Sequence, residues 1–273
     1  MVEKLAANPR KGNLAETLGT LLLQGVASVA PIPRTEDVGI DAVATLLRQD
    51  KLTLFAENSF NIQFKAASVK QLVFEDNHVK WLLSLELPFF VGSVDLSAAR
   101  IDLFACHRLT QAIIEGHDYK SIVLDLEGSS EQKEEPKNGR RLCIGPPVLS
   151  WSVNDMSDKD FIRSSYAVLK PHLTTYQRNL ELGRCGRFEQ LAWETSRVPE
   201  LVNVQMMAGP DTLQTAMSLA LPYISACLLD LNGTGELELF DKLREVAVGM
   251  CDLGATPDPI IEEIGKLRDK KKQ

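Results

Sequence analysis

The spacing of apolar residues changes along this chain, and that change restricts its fold more than any single motif does. Up to about residue 150 the apolar residues fall in short β-branched runs divided by turn formers. The stretch "FNIQFKAAS" (60–68) alternates, with Phe60, Ile62, Phe64 and Ala66 on one face and Gln63 and Lys65 on the other. A period of two marks a strand with one buried face. Beyond residue 150 the apolar residues recur at spacings of three and four, the period of helices. The chain therefore reads as an α/β domain over residues 1–150 and an all-α domain over 151–273.

Within the first part, residues 13–28 read as a helix with Asn13 as N-cap and Glu16 three positions on, where a capping-box carboxylate reaches back. The runs "VAPIPR", "VGIDAVATLLRQ", "KLTLFA", "FNIQFKAAS" and "SVKQLVFE" read as a meander. A short helix at "HVKWLLSL" follows, then strands at "PFFVGSVDL" and "ARIDLFA", a helix at "HRLTQAIIEG" and a strand at "SIVLDL". Residues 127–141 are polar and charged, as an exposed loop or hairpin tip would be. In the helical part, Pro171 and Pro222 should kink or divide two of the helices.

Composition narrows the functional classes. Of 273 residues 44% are hydrophobic and 25% charged, so the chain can bury a core without disulfides. Its five cysteines are scattered and contain no CxxC pair, which suggests neither a disulfide framework nor a zinc site. No run reaches membrane-spanning length, and Glu16 interrupts the apolar N-terminal stretch, so the expectation is a cytoplasmic protein with no membrane association. A net charge of -7 excludes a strongly cationic wrapper of nucleic acid.

One acid stands out. In "RTEDVGIDAVATLL", Asp41 follows a glycine at the entry to an apolar strand, where an unpaired carboxylate is expensive. If the hairpin to "FNIQFKAAS" is centred near Leu52, Asp41 lies opposite Gln63, and Asp41, Gln63 and Lys65 share a face. If the turn is tight at Gln49 and Asp50, Asp41 faces Asn58, although a bulge at "ENS" (57–59) restores the first register. Periodicity leaves both registers open. A carboxylate and an amide oxygen suit Mg²⁺, a hard cation that keeps several waters, and a neighbouring ammonium offsets charge on phosphate oxygens. Glu16 is a further candidate ligand or water contact, although the capping box accounts for it without chemistry.

"GID" leading into a strand, then "IQFK", preceded by a helix with a glutamate, resembles the PD-(D/E)xK phosphodiesterase superfamily, the restriction-endonuclease-like fold. Within it the chain is most similar to an uncharacterised bacterial group combining "EDxGID", a "QxKxxS" strand and a strand like "PFFVGSVD"; the resemblance spans roughly residues 10–115. It implies a central mixed sheet flanked by helices, Asp41 and Gln63 as metal positions for Mg²⁺ or Mn²⁺, and Lys65 as the catalytic lysine. It also implies nucleic acid, DNA first, as substrate, and a setting in bacterial restriction or anti-phage defence. Gln63 stands where glutamate is usual, so a second reading is a catalytically degenerate binding or assembly module. The C-terminal helices offer a surface for a partner protein or a homo-oligomer.

Other residues have plainer readings. Glu57 is the substitute acid if the register slips, Asp95 a turn former at a strand end, and Glu36 and Asp37 turn residues. Arg34 and Lys70 flank the site as solvated cations, and His78, His107, His117 and His172 read as surface or helix-end histidines.

Overall fold

The computed structural model describes residues 7–33, 39–115, 118–127, 135–158, 160–206, 210–234, 236–261 and 263. Arg34, Glu36, Asp37 and His117 lie outside the described residues. The elements are α1 (Ala7–Leu23), β1 (Ala27–Pro31), β2 (Ala42–Asp50), β3 (Thr53–Ala66), β4 (Gln71–Glu75), α2 (Asn77–Leu83), β5 (Phe89–Asp95) and β6 (Arg100–Ala105). They continue with α3 (Leu109–Glu115), β7 (Ser121–Asp125), β8 (Gly139–Cys143), β9 (Leu149–Ser152), α4 (Phe161–Gly183), β10 (Arg187–Ala192), β11 (Glu200–Met206), α5 (Pro210–Thr234) and α6 (Leu237–Asp252).

The protein is α/β, with a six-stranded mixed sheet in the order β1-β2-β3-β5-β6-β9. All its neighbours are antiparallel except β3 and β5, which run parallel. Parallel neighbours need a crossover, and here β4 and α2 supply the connection. A three-stranded sheet, β4-β7-β8, and the pair β10-β11 complete the strands. "KLTLFA" and "FNIQFKAAS" form one strand, and "SVKQLVFE" leaves the meander to pair with β7.

Alternation decides which side chains each face of the large sheet carries. Phe60, Ile62 and Phe64 of β3 share a face with Ala42 and Ala44 of β2 and with Phe90 of β5. This apolar face is covered by α1 and α4: Gly19 of α1 abuts the Phe64 ring, and Tyr176 of α4 lies 6.4 Å from Phe90, centroid to centroid. The opposite face carries Gln63, Lys65 and Phe89, with Phe89 edge-on to Phe74 of β4 and Trp81 of α2.

Several expectations need correction. Helix α1 starts at Ala7, so Asn13 lies inside it rather than capping it; the Thr17 hydroxyl donates to the Asn13 carbonyl at 2.9 Å, one helical turn back. Neither Pro171 nor Pro222 divides its helix. Each removes one backbone hydrogen bond, while buried neighbours such as His172, Leu173 and Leu221 hold the flanking turns. The domain boundary also differs from residue 150. The chain divides into Met1–Gly183 with Phe188–Gln205, and Arg184–Arg187 with Met206–Gln273. Strand β9 pairs with β6, and α4 packs on β2, which ties these later segments into the first unit. Strands β10 and β11 were not anticipated.

His107 and His172 are not surface residues. His107 Nε2 and His172 Nδ1 share a hydrogen bond of 2.9 Å, with Tyr176 and Trp193 packed around them. Burial depresses both imidazoles, His172 to about 4 and His107 well below its usual value, the latter also because His172 is beside it. A histidine that stays neutral in the fold but titrates at about 6.5 when unfolded makes the unfolded state the stronger proton binder at acid pH. Stability from this pair is complete above pH 6.5 and falls as pH drops towards 4. A His172→Phe variant should therefore lose less stability than the parent between pH 6.5 and 4, read by denaturant midpoints across that range. An identical acid slope in the two proteins would refute this assignment.

Between β2 and β3 the ladder contains a bulge. Asp50 pairs with Thr53 across a turn at Lys51–Leu52, and Thr45 pairs with Ser59, yet Leu47 pairs with Ala56. Glu57 and Asn58 thus stand opposite the single residue Leu46. Both are fastened to α4: Lys170 Nζ donates to Glu57 Oε2 and Asn58 Oδ1, each at 2.6 Å, and Tyr166 Oη donates to Glu57 Oε2 at 2.8 Å. Arg48 Nε donates to Glu57 Oε1 at 2.7 Å. Hydrogen bonds from Lys170, then Arg48 and Tyr166, hold the Glu57 carboxyl down to about 2. Its stabilisation is complete above the ordinary carboxylate range near 4.5 and is lost as pH falls through that range towards 2. Glu57→Gln should cost roughly 1–2 kcal/mol at neutral pH, moderated by partial solvation. The cost should vanish near pH 2. A cost unchanged by acid would show that the charge is not what matters.

The second unit is built on α5 and α6, with Met217, Leu221, Leu228, Phe240 and Ala247 in its core. Ser225 Oγ donates to the Leu221 carbonyl at 2.9 Å and to Asp258 Oδ2 at 2.7 Å. Leu213, Tyr223, Leu229 and Val246 are exposed on these helices, as is Leu253 just after α6. Against the expectation that no run reaches membrane-spanning length, the segment Thr212–Asn232 is long and apolar enough to cross a membrane by length and composition alone.

Candidate functional site

The bulge determines the site. Beyond it Ala42 pairs with Ile62 and Val43 with Asn61, so Asp41, one residue before β2, falls opposite Gln63. Of the two registers open to the sequence, the structure adopts the one that places Asp41 beside Gln63, and the one extra residue lies within "ENS". Strand β3 runs on past the start of β2, and among the described residues no strand pairs with that edge beyond Ile62. Asp41 fills part of that gap: its N–H donates to the Ile62 carbonyl at 2.9 Å, and its Oδ2 accepts the Phe64 N–H at 2.5 Å. An acid at a strand entry is thus engaged with backbone, as a costly carboxylate must be.

Gln63 and Lys65 project from the face opposite Phe64 and line a cavity of about 860 Å³. Its far side is formed by Gln71, Val73 and Phe74 of β4 and by Asn77, His78 and Trp81 of α2. Gly39, from the "GID" segment, closes one side. Gly39 adopts φ 91°, and a methyl group there would sit 3.0 Å from the Trp81 ring, so glycine is required twice over, for conformation and for space.

Gln63 Oε1 is buried and has no hydrogen-bond donor in the structure. Lys65 has no ion-pair partner among the described residues. Leaving a buried amide oxygen unpaired costs about 1–3 kcal/mol, and such atoms mark places where a ligand or ion completes the bonding. Asp41 is not among the residues that line this cavity, and its Oδ2 is engaged by the Phe64 N–H; together with the Gln63 amide oxygen it makes a donor set of the kind a hard cation takes. No group of three or more His, Cys, Asp or Glu side chains able to hold a metal occurs among the described residues.

Glu16 is not gathered with the others. It lies on α1, which covers the Phe64 face, opposite to the face of Gln63 and Lys65. Glu57 serves the bulge. Asp95 Oδ1 accepts from the Ser97 N–H, the Ser97 hydroxyl and the Ala98 N–H, a turn in keeping with its plainer reading. Lys70 pairs with Glu127 at 2.5 Å.

Sequence reasoning missed the opposite wall of the cavity. Asn77 and Trp81 are four apart on α2, and Gln71 and Val73 are two apart on β4, so each pair shares a face of its element. That pattern was legible, but nothing local says that these two faces close over Gln63. Asp102 was missed as well: it shares the sheet row of Lys65 and Ser93, where it accepts from Arg100 at 3.1 Å and from Ser150.

No protein-family model matches the chain, and no curated protein or solved structure does either.

Proposed function

We propose that the first unit is a metal-dependent phosphodiesterase of the PD-(D/E)xK kind that hydrolyses nucleic acid, with DNA as the first substrate to test. The observation that carries this reading is the buried, donorless Gln63 Oε1, opposite Asp41 and on the same cavity wall as Lys65. Asp41 and Gln63 are the residues that would hold Mg²⁺ or Mn²⁺. A bound cation of this class supplies Lewis-acid polarisation of the phosphoryl oxygen and a more acidic coordinated water. Lys65 contributes a fixed positive charge where negative charge grows on the phosphate oxygens. Asp41, held by the Phe64 N–H, contributes a preset carboxylate orientation.

A second reading is favoured by one detail: Asp41 Oδ2 already accepts a backbone hydrogen bond, and the facing position carries a neutral amide. On that reading the same fold binds nucleic acid or a partner without cleaving. The purified protein with Mg²⁺ or Mn²⁺ should cut at least one of linear DNA, circular DNA, single-stranded DNA or RNA, and Lys65→Ala should abolish the cut. No cleavage of any of the four, together with no Mn²⁺ binding by calorimetry, would overturn the nuclease reading in favour of the binding module.

A further inference from the structure

The cavity has more room and more chemistry than a cation site requires. At about 860 Å³ it lies within the roughly 300–1,000 Å³ range of small-molecule sites. Its walls differ in kind. Trp81 is the half-buried aromatic of the lining, and the buried Phe74 stacks against it, planes 25° apart and centroids 6.3 Å apart. Phe89 stands edge-on to both, at 81° and 82°, which fixes their orientation. Gln71 and Asn77 add amides that both donate and accept. Across from them are the Lys65 ammonium and the unsatisfied Gln63 oxygen.

A ligand matching all of these has a flat ring, hydrogen-bonding edges and a negative charge beside the ring. An aliphatic ligand leaves the amides unpaired, and a free phosphate leaves the Trp81 ring unused. A nucleotide whose base is out of its stack satisfies the set, because an unpaired base offers both its face and its pairing edge. A base within a duplex offers neither to a concave pocket. Net charge points the same way. Proteins that follow a duplex backbone draw affinity from many phosphate contacts, and a chain of net charge -7 has no overall cationic excess to favour that. Affinity must come instead from stacking and edge contacts.

We propose that this cavity receives a single unpaired nucleotide, with the base against Trp81, its edge met by Gln71 and Asn77, and its phosphate directed to Lys65. The inference rests on the phosphodiesterase reading of the same site and makes its substrate unpaired or extruded nucleic acid.

The test uses the full chain in EDTA, so that binding is separated from cleavage. A short labelled single strand, the same strand fully paired, and a duplex with one unpaired nucleotide are titrated by anisotropy, with 2-aminopurine at the unpaired position in parallel. The unpaired and single-stranded probes should bind at least about tenfold more tightly than the paired duplex, and 2-aminopurine emission should fall on binding. Trp81→Ala should lose about tenfold or more for unpaired probes, and Trp81→Phe should recover most of it. Because Trp81 also packs in the fold, Val73→Glu is the companion variant. It places a carboxylate at a solvent-exposed lining position and should block the probes while leaving the thermal melt unchanged.

Equal affinity for paired and unpaired probes overturns the inference, as does a folded Val73→Glu protein that binds as the parent does. Cleavage in Mg²⁺ with equal rates on paired and unpaired substrates sinks the pocket and leaves the hydrolase. Selective binding of unpaired probes without cleavage under any metal sinks the hydrolase and leaves the pocket.

Discussion

Replacing Asp41 by asparagine should leave the protein folded and remove the proposed cleavage activity, whereas alanine should damage both. The distinction comes from what the carboxylate does. Its Oδ2 accepts the Phe64 N–H at the edge of β3, and an asparagine side-chain oxygen accepts the same bond. What asparagine lacks is the negative charge needed beside Gln63 to hold a divalent cation. Alanine removes the acceptor as well, leaving a backbone N–H unpaired at a cost of about 1–3 kcal/mol. Asp41→Asn should therefore melt within a degree or two of the parent yet cleave at least about a hundredfold more slowly. Lys65→Arg belongs in the same series, since a planar guanidinium does not replace a compact ammonium. An active Asp41→Asn enzyme would show that Asp41 is only a backbone cap.

Gly19→Ala should be among the most destabilising single substitutions in the first unit, although it adds only a methyl group. That methyl would come within 2.8 Å of Phe64 Cε1 and nearer still to its Cδ1. The ring has little room to retreat, because Gly92 of β5 is also close to it: a methyl there would stand 2.8 Å from Cδ1 and 3.1 Å from Cε1. Phe64 is thus wedged between α1 and β5. Overpacking of this kind costs about 1–3 kcal/mol, which for a unit of this size lowers the melting temperature by roughly 2–4 °C per kcal/mol. Phe64→Leu makes room, so the double variant Gly19→Ala/Phe64→Leu should be less destabilised than the sum of the singles. Additive effects would mean the two residues do not touch. Because Phe64 sits between Gln63 and Lys65, Gly19→Ala should also reduce ligand binding at the cavity.

Local patterns carried much of this. The alternation at Phe60–Lys65 identified the strand and the faces of Gln63 and Lys65, and the acid at Asp41 was conspicuous because a strand entry rarely leaves one unpaired. Register was less accessible. Two turn placements fitted the same hydrophobic pattern, and the choice rested on Glu57 and Asn58 gaining partners on α4, more than a hundred residues away. The histidine pair was invisible for the same reason: His107 and His172 are 65 residues apart, and neither looks buried by its neighbours alone. The helix period of α4, α5 and α6 is legible after residue 150, though the strands β10 and β11 between α4 and α5 are not, and period says nothing about which sheet a helix covers. Helix α4 therefore went to the wrong domain.

The bulge has a further consequence for how homologues of this chain can vary in length. On the tip side of Leu46 an added or lost residue alters only the hairpin end around Lys51–Leu52. Between Ser59 and Gln63 a single insertion or deletion would turn every following side chain of β3 over, presenting Phe64 to the cavity and burying Lys65 against α1. Length polymorphism should therefore be confined to the tip, with the five residues leading to Gln63 held at constant spacing from the bulge.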